Sequence, residues 1–142
     1  FDVDDFKMIN DQYGHLVGDE VIKAVGQKCK EVMHEKDTLV GRYGGDEFVI
    51  LLKNFSQEQI INKANELFKA LSNMTVSSDE HNIQLTISMG IVCNSSIIAR
   101  KFKQLFSVAD QALYMAKNQG KNQIVSLSNM NCKVNTSPHS SS

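Results

Sequence analysis

Leu39-Val40-Gly41-Arg42-Tyr43-Gly44-Gly45-Asp46-Glu47-Phe48-Val49-Ile50-Leu51-Leu52 is the stretch on which the fold turns. Two short apolar runs, Leu39 to Tyr43 and Phe48 to Leu52, flank Gly44-Gly45-Asp46-Glu47. Glycines between two β-prone runs read as a hairpin turn. Upstream, Val21, Ile22, Val25, Cys29 and Val32 recur at helical spacing and predict a helix from Glu20 to Glu35. Cys29 lies on its apolar face and reads as core filler. Residues 14–19, Gly-His-Leu-Val-Gly-Asp, read as a turn-rich link. Phe6 to Asn10 reads as a short helix with Asp4 or Asp5 as its N-cap. Phe1-Asp2-Val3 reads as the end of a strand whose leading half is missing. Downstream, Ser56 opens a helix with Gln59 at the spacing of a capping box. Asp79-Glu80-His81-Asn82 reads as a loop, and Leu85 to Val92 alternates as a strand buried on at least one face. Phe102 to Lys117 predicts a helix with Gly120 near its end, and Gln123 to Leu127 a last strand. Helices alternating with strands around a central hairpin give an α+β fold, one mixed sheet with helices packed on it.

Composition bounds the rest. The 142 residues, 42% hydrophobic, suit one core and not two. The net charge of −1 argues against a strongly basic nucleic-acid binder. No apolar run approaches the roughly 18 residues of a membrane span. The acidic start after Phe1 is no signal peptide and reads as a chain beginning partway through something. Cys29, Cys93 and Cys132 have neither the number nor the spacing of a disulfide framework or zinc site, which fits a reducing, cytoplasmic setting. From Ser128 the chain holds five Ser, three Asn and no acid. That predicts a disordered tail, 128–142, behind one domain, 1–127. The near-neutral total hides an asymmetry: residues 1–48 hold 6 Lys/Arg and 11 Asp/Glu, and residues 49–142 hold 9 and 5. Segregation of this kind is either solvated surface or a cation site meeting an anion site.

The residues able to do chemistry lie in four places. A hairpin needs a glycine or two but not the adjacent carboxylates Asp46 and Glu47, whose repulsion a cation would relieve. Mg²⁺ takes one or two carboxylates plus substrate phosphates, and Gly44 and Gly45 leave room for a phosphate to approach. A type I′ Gly-Gly turn with solvated acids would need no ligand. Asp2 and Asp4 share a face if their strand continues, with Val3 on the other. Asp2 and the Val3 carbonyl could complete a cation site, and Lys7 is either a phosphate contact or a surface lysine. Asn10 and Asp19 could read the guanine N1–H and N2–H₂ or cap helices, while His15 reads as a turn residue. Lys117 and Lys121 either complement a helix dipole or meet a phosphate.

Together these residues resemble the GGDEF-domain diguanylate cyclases. Gly44-Gly45-Asp46-Glu47-Phe48 is the naming motif letter for letter. Chance supplies such a pentapeptide on the order of 10⁻⁴ of the time in a chain this long. Asp2-Val3-Asp4-x-Phe6-Lys7-x-x-Asn10-Asp11, Gly14-His15-x-x-Gly18-Asp19, Thr86-Ile87-Ser88-Met89-Gly90 and the stretch from Ala109 through Lys117 to Gly120-Lys121-Asn122 match in order. The resemblance implies a palm like that of class III nucleotide cyclases, a central mixed or antiparallel sheet flanked by helices, with the first strand truncated at the N-terminus. It implies two domains paired as a homodimer, each holding GTP. Each 3′-hydroxyl attacks the other α-phosphate, giving cyclic di-GMP and two pyrophosphates. Asp2, Val3, Asp46 and Glu47 match the Mg²⁺ (or Mn²⁺) ligands. Asp46 or Glu47 matches the base, and Lys7 belongs with the catalytic set. Asn10, Asp19 and His15 fall in the substrate site with Gly44, Gly45, Lys117 and Lys121.

Two departures matter. The family's inhibitory Arg-x-x-Asp has Glu35 at its Arg position and Thr38 at its Asp position, with Asp37 one residue out of register. That predicts no high-affinity inhibitory site. The family segment that precedes Asp2 is also absent, so the fragment alone is expected to be less stable or inactive. A sensory or regulatory domain, and any membrane anchor, would lie upstream in the parent. The rival class is a non-catalytic receptor for GTP or cyclic di-GMP. Against it stand both hairpin acids, Asp2 and Lys7. A cyclase making a mixed guanine–adenine product is disfavoured by Asp19, which would meet an acceptor on adenine.

Overall fold

The computed structural model describes residues 1–78, 80–93 and 102–128. The expected disordered tail lies, from residue 129 on, outside the described residues. The elements in chain order are β1 (Asp2–Val3), α1 (Phe6–Tyr13), α2 (His15–Val32), β2 (Thr38–Gly44), β3 (Glu47–Leu52) and α3 (Gln57–Ser72). There follow β4 (Thr75–Ser78), β5 (His81–Gln84), β6 (Ile87–Cys93), α4 (Phe102–Asn118) and β7 (Gln123–Ser128). Five strands form one sheet in the order β2-β3-β1-β6-β7, and β4 pairs with β5 apart from it. All pairs in the main sheet are antiparallel except β6 with β7. The mixed sheet expected from the element pattern is the one found.

Both faces of the sheet are covered. The larger core packs Ile87, Met89 and Ile91 with Val21, Val25 and Cys29 of α2 and with Leu67 and Leu71 of α3. Cys29 is fully buried, as its place on the apolar face predicted, and burial pushes its thiol up to about 11. The smaller core packs Ala112 and Ala116 of α4 on Val125. Gly90 makes that second layer possible. A Cβ there would run into the α4 backbone at Ala109, Leu113 and Ala112, so α4 rests directly on β6. Val3 points into the larger core, while Asp2 and Asp4 face the α4 side. This is the alternation a strand requires.

Local signals set most element ends. Ser56 Oγ accepts from Gln59 N at 3.1 Å and Gln59 Oε1 from Ser56 N at 2.8 Å, a complete capping box at the start of α3. Three readings are corrected. Residues 15–19 are not a link but the first turns of α2, and only Gly14, at φ +94°, breaks the chain between α1 and α2. Gly18 is a packing glycine: a Cβ there would collide with the Asn10 side chain. Residues 81–82 are strand rather than loop, because β4 and β5 cover Val76 and Ile83 against the α2 side of the core. Asp79 of the same stretch lies outside the described residues. Third, α2 ends at Val32 rather than Glu35. Thr38 Oγ1 donates to the Met33 and Glu35 carbonyls there, at 3.0 and 2.6 Å, and turns the chain into β2.

Between β3 and β6, at the Phe1 end of β1, lies an apolar cleft of about 410 Å³ lined by Val49–Leu52 and Met89–Val92. Phe1 stacks on Phe48 at its edge, with ring centroids 5.1 Å apart.

Candidate functional site

β1 brings the acidic front together. Asp2 pairs in register with Glu47 on one side and Ser88 on the other. Phe1 N donates to the Phe48 carbonyl at 2.9 Å, and Phe48 N donates back to the Phe1 carbonyl at 2.7 Å. Val3 N donates to the Asp46 carbonyl at 3.4 Å. The start of β1 is therefore sewn to the hairpin that carries the second pair of acids. Lys117, from the last turn of α4, closes the site with an ion pair to Asp2 Oδ2.

The charges do not balance inside this cluster. Asp2 is buried, and its Oδ1 has no hydrogen-bond partner. Burial pushes the Asp2 carboxyl up from its ordinary range, Lys117 opposes this, and the Asp46 charge adds to it. Burial also pushes Glu47 up, helped by the charges of Asp110 and Asp2. Burial works against the Lys117 ammonium, yet the bond and charge of Asp2 outweigh it and hold Lys117 above the usual lysine value. The Lys117 shift speaks for a charged pair and the Asp2 shift against one. The orphaned Oδ1 accounts for the second, since it has lost water and gained nothing. A hard cation is the group that fits a buried carboxylate oxygen beside two further carboxylates. Among the described residues, no three His, Cys, Asp or Glu side chains already converge as a metal cage.

The hairpin tip is open. Its turn is Gly45–Asp46, with Gly44 opposite Glu47 and a bulge between Arg42 and Gly44. Gly45 has φ +52° whereas Asp46 is not in the left-handed region, so this is not the type I′ Gly-Gly turn. Arg42 Nε donates to the Gly45 carbonyl at 2.8 Å. Nothing lies within 4 Å of a Cβ built at Gly44 or Gly45, so the backbone here is accessible from outside.

The α1–α2 crossing sets Asn10 against the residue before Asp19. The Asn10 side chain rests on Gly18, next to Asp19, and Asp19 is exposed beside it. Neither acts as a helix cap, since both lie inside helices. His15 is not a turn residue but the exposed first residue of α2. Lys7 is exposed in the first turn of α1. Lys121 pairs with Asp5 at 2.5 Å, so both C-terminal lysines are held by acids of the N-terminal segment.

Asp4 was misread as a helix cap. It is 6% exposed and accepts from Thr86 Oγ1 at 2.7 Å, Ser88 Oγ at 2.6 Å and Asn122 N at 2.9 Å. Asp5 takes the cap position without a side-chain cap bond, at φ +56°. The signal for Asp4 was present in Thr86 and Ser88, two hydroxyls on one face of an otherwise apolar strand. Asp110, which raises Glu47, was missed as well. It sits one turn before Leu113 on α4, which nothing in the local pattern marks as facing the hairpin.

The family model for "Diguanylate cyclase, GGDEF domain" matches residues 1–123. The chain belongs to the GGDEF domain family. It is 36% identical over 123 residues to diguanylate cyclase A of Treponema denticola, covering 87% of this chain and 33% of that protein. The active GGEEF domain of a diguanylate cyclase from Vibrio cholerae superposes with a TM-score of 0.76 at 30% identity, over 88% of this chain and 78% of that one. The GGDEF domain of DgcB from Caulobacter crescentus, solved in complex with c-di-GMP, gives 0.79 at 26%, over 88% and 73%. The chain thus spans about a third of the Treponema relative. Among the described residues, no helix of this GGDEF domain is long and apolar enough to cross a membrane.

The positions of the family's inhibitory motif are occupied by structure. Glu35 pairs with Lys63 of α3 at 2.5 Å, and Thr38 spends its hydroxyl on the α2 terminus. Asp37, at φ +69°, accepts from Asn54 at 3.3 Å.

Proposed function

We propose that this domain is the catalytic half-site of a diguanylate cyclase. Two copies, each holding one GTP, condense their substrates into cyclic di-GMP and two pyrophosphates. The observation that carries the reading is the buried Asp2 carboxylate with an unpartnered Oδ1, in register with Glu47 of an intact Gly44-Gly45-Asp46-Glu47-Phe48 hairpin. Asp2, the Val3 carbonyl, Asp46 and Glu47 would hold Mg²⁺ or Mn²⁺. Bound there, the ion neutralises phosphate charge and lowers the pKa of the attacking hydroxyl.

The chain's own residues supply the rest. Asp46 or Glu47 takes the 3′-hydroxyl proton. Burial holds Glu47 above the usual carboxylate range. Lys7, Lys117 and Lys121 bind the triphosphate. Lys117, now paired with Asp2, would be free to meet phosphate if a cation held Asp2. Asn10 and Asp19 read the guanine edge, with His15 at the mouth of that pocket. The open backbone at Gly44 and Gly45 lets the α-phosphate approach the second domain. One domain holds one substrate, so turnover requires a homodimer. Regulation comes from a sensory domain elsewhere in the parent, and the reaction belongs in the cytoplasm, where GTP is. Occupation of Glu35, Thr38 and Asp37 by structural bonds supports the absence of a high-affinity inhibitory site.

The test is to incubate the full-length parent with GTP and Mg²⁺ and identify the products. Cyclic di-GMP and pyrophosphate in a 1:2 ratio are expected. GTP bound but unchanged would replace the reading with a receptor, and a mixed guanine–adenine product would overturn the role of Asp19. Non-competitive inhibition by micromolar cyclic di-GMP would refute the lost inhibitory site.

A further inference from the structure

We propose that Asp4 is a positioning residue that locks the α4–β7 turn, and with it Lys121 and Lys117, onto the strand that carries Asp2. This rests on the triphosphate role given to those lysines above. Asp4 reaches three segments far apart in sequence, through Thr86, Ser88 and the Asn122 amide. Its own N–H donates to the Thr86 carbonyl at 2.9 Å, which fixes the carboxylate at the end of β1.

The turn it holds is strained. Lys121 and Asn122 are consecutive non-glycine residues in the left-handed region, at φ +62° and +50°, and Asp5 joins them at +56°. Asn122 and Asp5 are of the types that enter this region readily, whereas Lys121 is not. All three adjoin one buried carboxylate, and a surrounding that over-determines the backbone is what lets such strain persist. Lys121 N bonds to the Ala116 carbonyl at 2.9 Å, so the turn is continuous with the end of α4 that carries Lys117. With Asn122 N held by Asp4, Lys121 Nζ falls on Asp5 and Lys117 on Asp2. Without that bond the turn can relax and the lysines lose their common frame. Asn10 and Asp19, on α1 and α2, do not depend on it.

Two measurements on Asp4→Ala, which removes the acceptor of all three bonds, test this in the full-length parent. The first is affinity for a non-hydrolysable GTP analogue, for GDP and for guanosine. The expected loss grows with phosphate number, roughly tenfold for the triphosphate and none for guanosine. In a double-mutant cycle with Lys121→Ala, the second substitution should add little to the first. An equal loss for all three ligands, or fully additive losses, overturns the proposal. The second measurement is hydrogen exchange at the Asn122 amide, which should be slow in the wild type and fast in the variant. It needs no nucleotide, so a wild type that binds no GTP sinks the functional reading while leaving Asp4 testable. Unchanged exchange at Asn122 overturns the proposal. Should Asp4→Ala fail to fold, Thr86→Val removes one of the two donors to Asp4 Oδ2, the oxygen that holds Asn122. It should give a smaller loss with the same phosphate dependence.

Discussion

The hairpin Gly44–Glu47 and the turn Gln119–Asn122 both carry residues assigned to the nucleotide site, and they are held in opposite ways. The hairpin tip stands open at its glycines, with Arg42 bonded to the Gly45 carbonyl and Val3 N to the Asp46 carbonyl. The turn is clamped, with Asn122 on Asp4, Lys121 on Asp5, and Lys117 of the helix before it on Asp2. Where structure asks nothing of a side chain, its presence points to chemistry. Gly45 is needed for its positive φ, but no packing need explains Asp46 or Glu47. In the turn every residue has a structural use, so its chemical role has to be separated from its structural one by experiment.

The largest expected effect breaks function without touching the fold. Asp46→Ala should abolish turnover in an active parent while stability moves within about 0.5 kcal/mol, as for other substitutions away from the core. Retained turnover would remove Asp46 from the metal site.

The next contrast sets two glycines against each other. Gly90→Ala drives a methyl into the α4 backbone and should destabilise by about 1–3 kcal/mol or more in urea unfolding. Gly44→Ala meets no atom within 4 Å and should leave the midpoint nearly unmoved. Equal effects would mean that the hairpin is packed after all.

Lys117→Met probes the clamped side. Asp2 is 8% exposed and Lys117 44%, so the variant leaves a buried carboxylate alone. The expected cost is about 1–2 kcal/mol, below that of a wholly buried pair because the ammonium is partly in water. Added Mg²⁺ should reduce the deficit. A deficit indifferent to Mg²⁺ would argue against a cation at Asp2.

The smallest effect is a control away from both regions. The hydrogen bond from Lys63 holds Glu35 below the usual carboxylate range. A carboxyl lowered on folding contributes stability above its unfolded pKa, about 4.3, and loses it as pH falls through the folded value. The stability gap between wild type and Lys63→Met should therefore be constant near neutrality and narrow below about pH 4, to what the Lys63 bond to the Val32 carbonyl leaves. A gap that widens in acid would contradict the pairing.

Much of the fold was legible because it rests on local signals. Periodicity marked the apolar face of α2, and the Ser56–Gln59 spacing marked a cap that is present. The failures share one physical cause. Gly14 and Gly18 look alike in sequence, yet one ends a helix by its φ and the other lets two helices cross. The β4–β5 hairpin is too polar to announce itself, and only its place over the core buries Val76 and Ile83. In the candidate site, motif spacing named Asp2, Asp46 and Glu47, and the strand register sets Asp2 opposite Glu47. Spacing could not show that Asp4 is buried, because its three partners lie 82, 84 and 118 residues away.

The sequence by itself determined the family, the mixed sheet and the acidic residues of the hairpin, since these depend on residue type and short spacing. Tertiary structure alone decided that Lys117 answers Asp2 and that Asp4 bolts the lysine turn to β1. The reason is geometric: β1 lies between β3 and β6 with α4 across it, and only folding brings the acidic N-terminal strand against the basic end of α4.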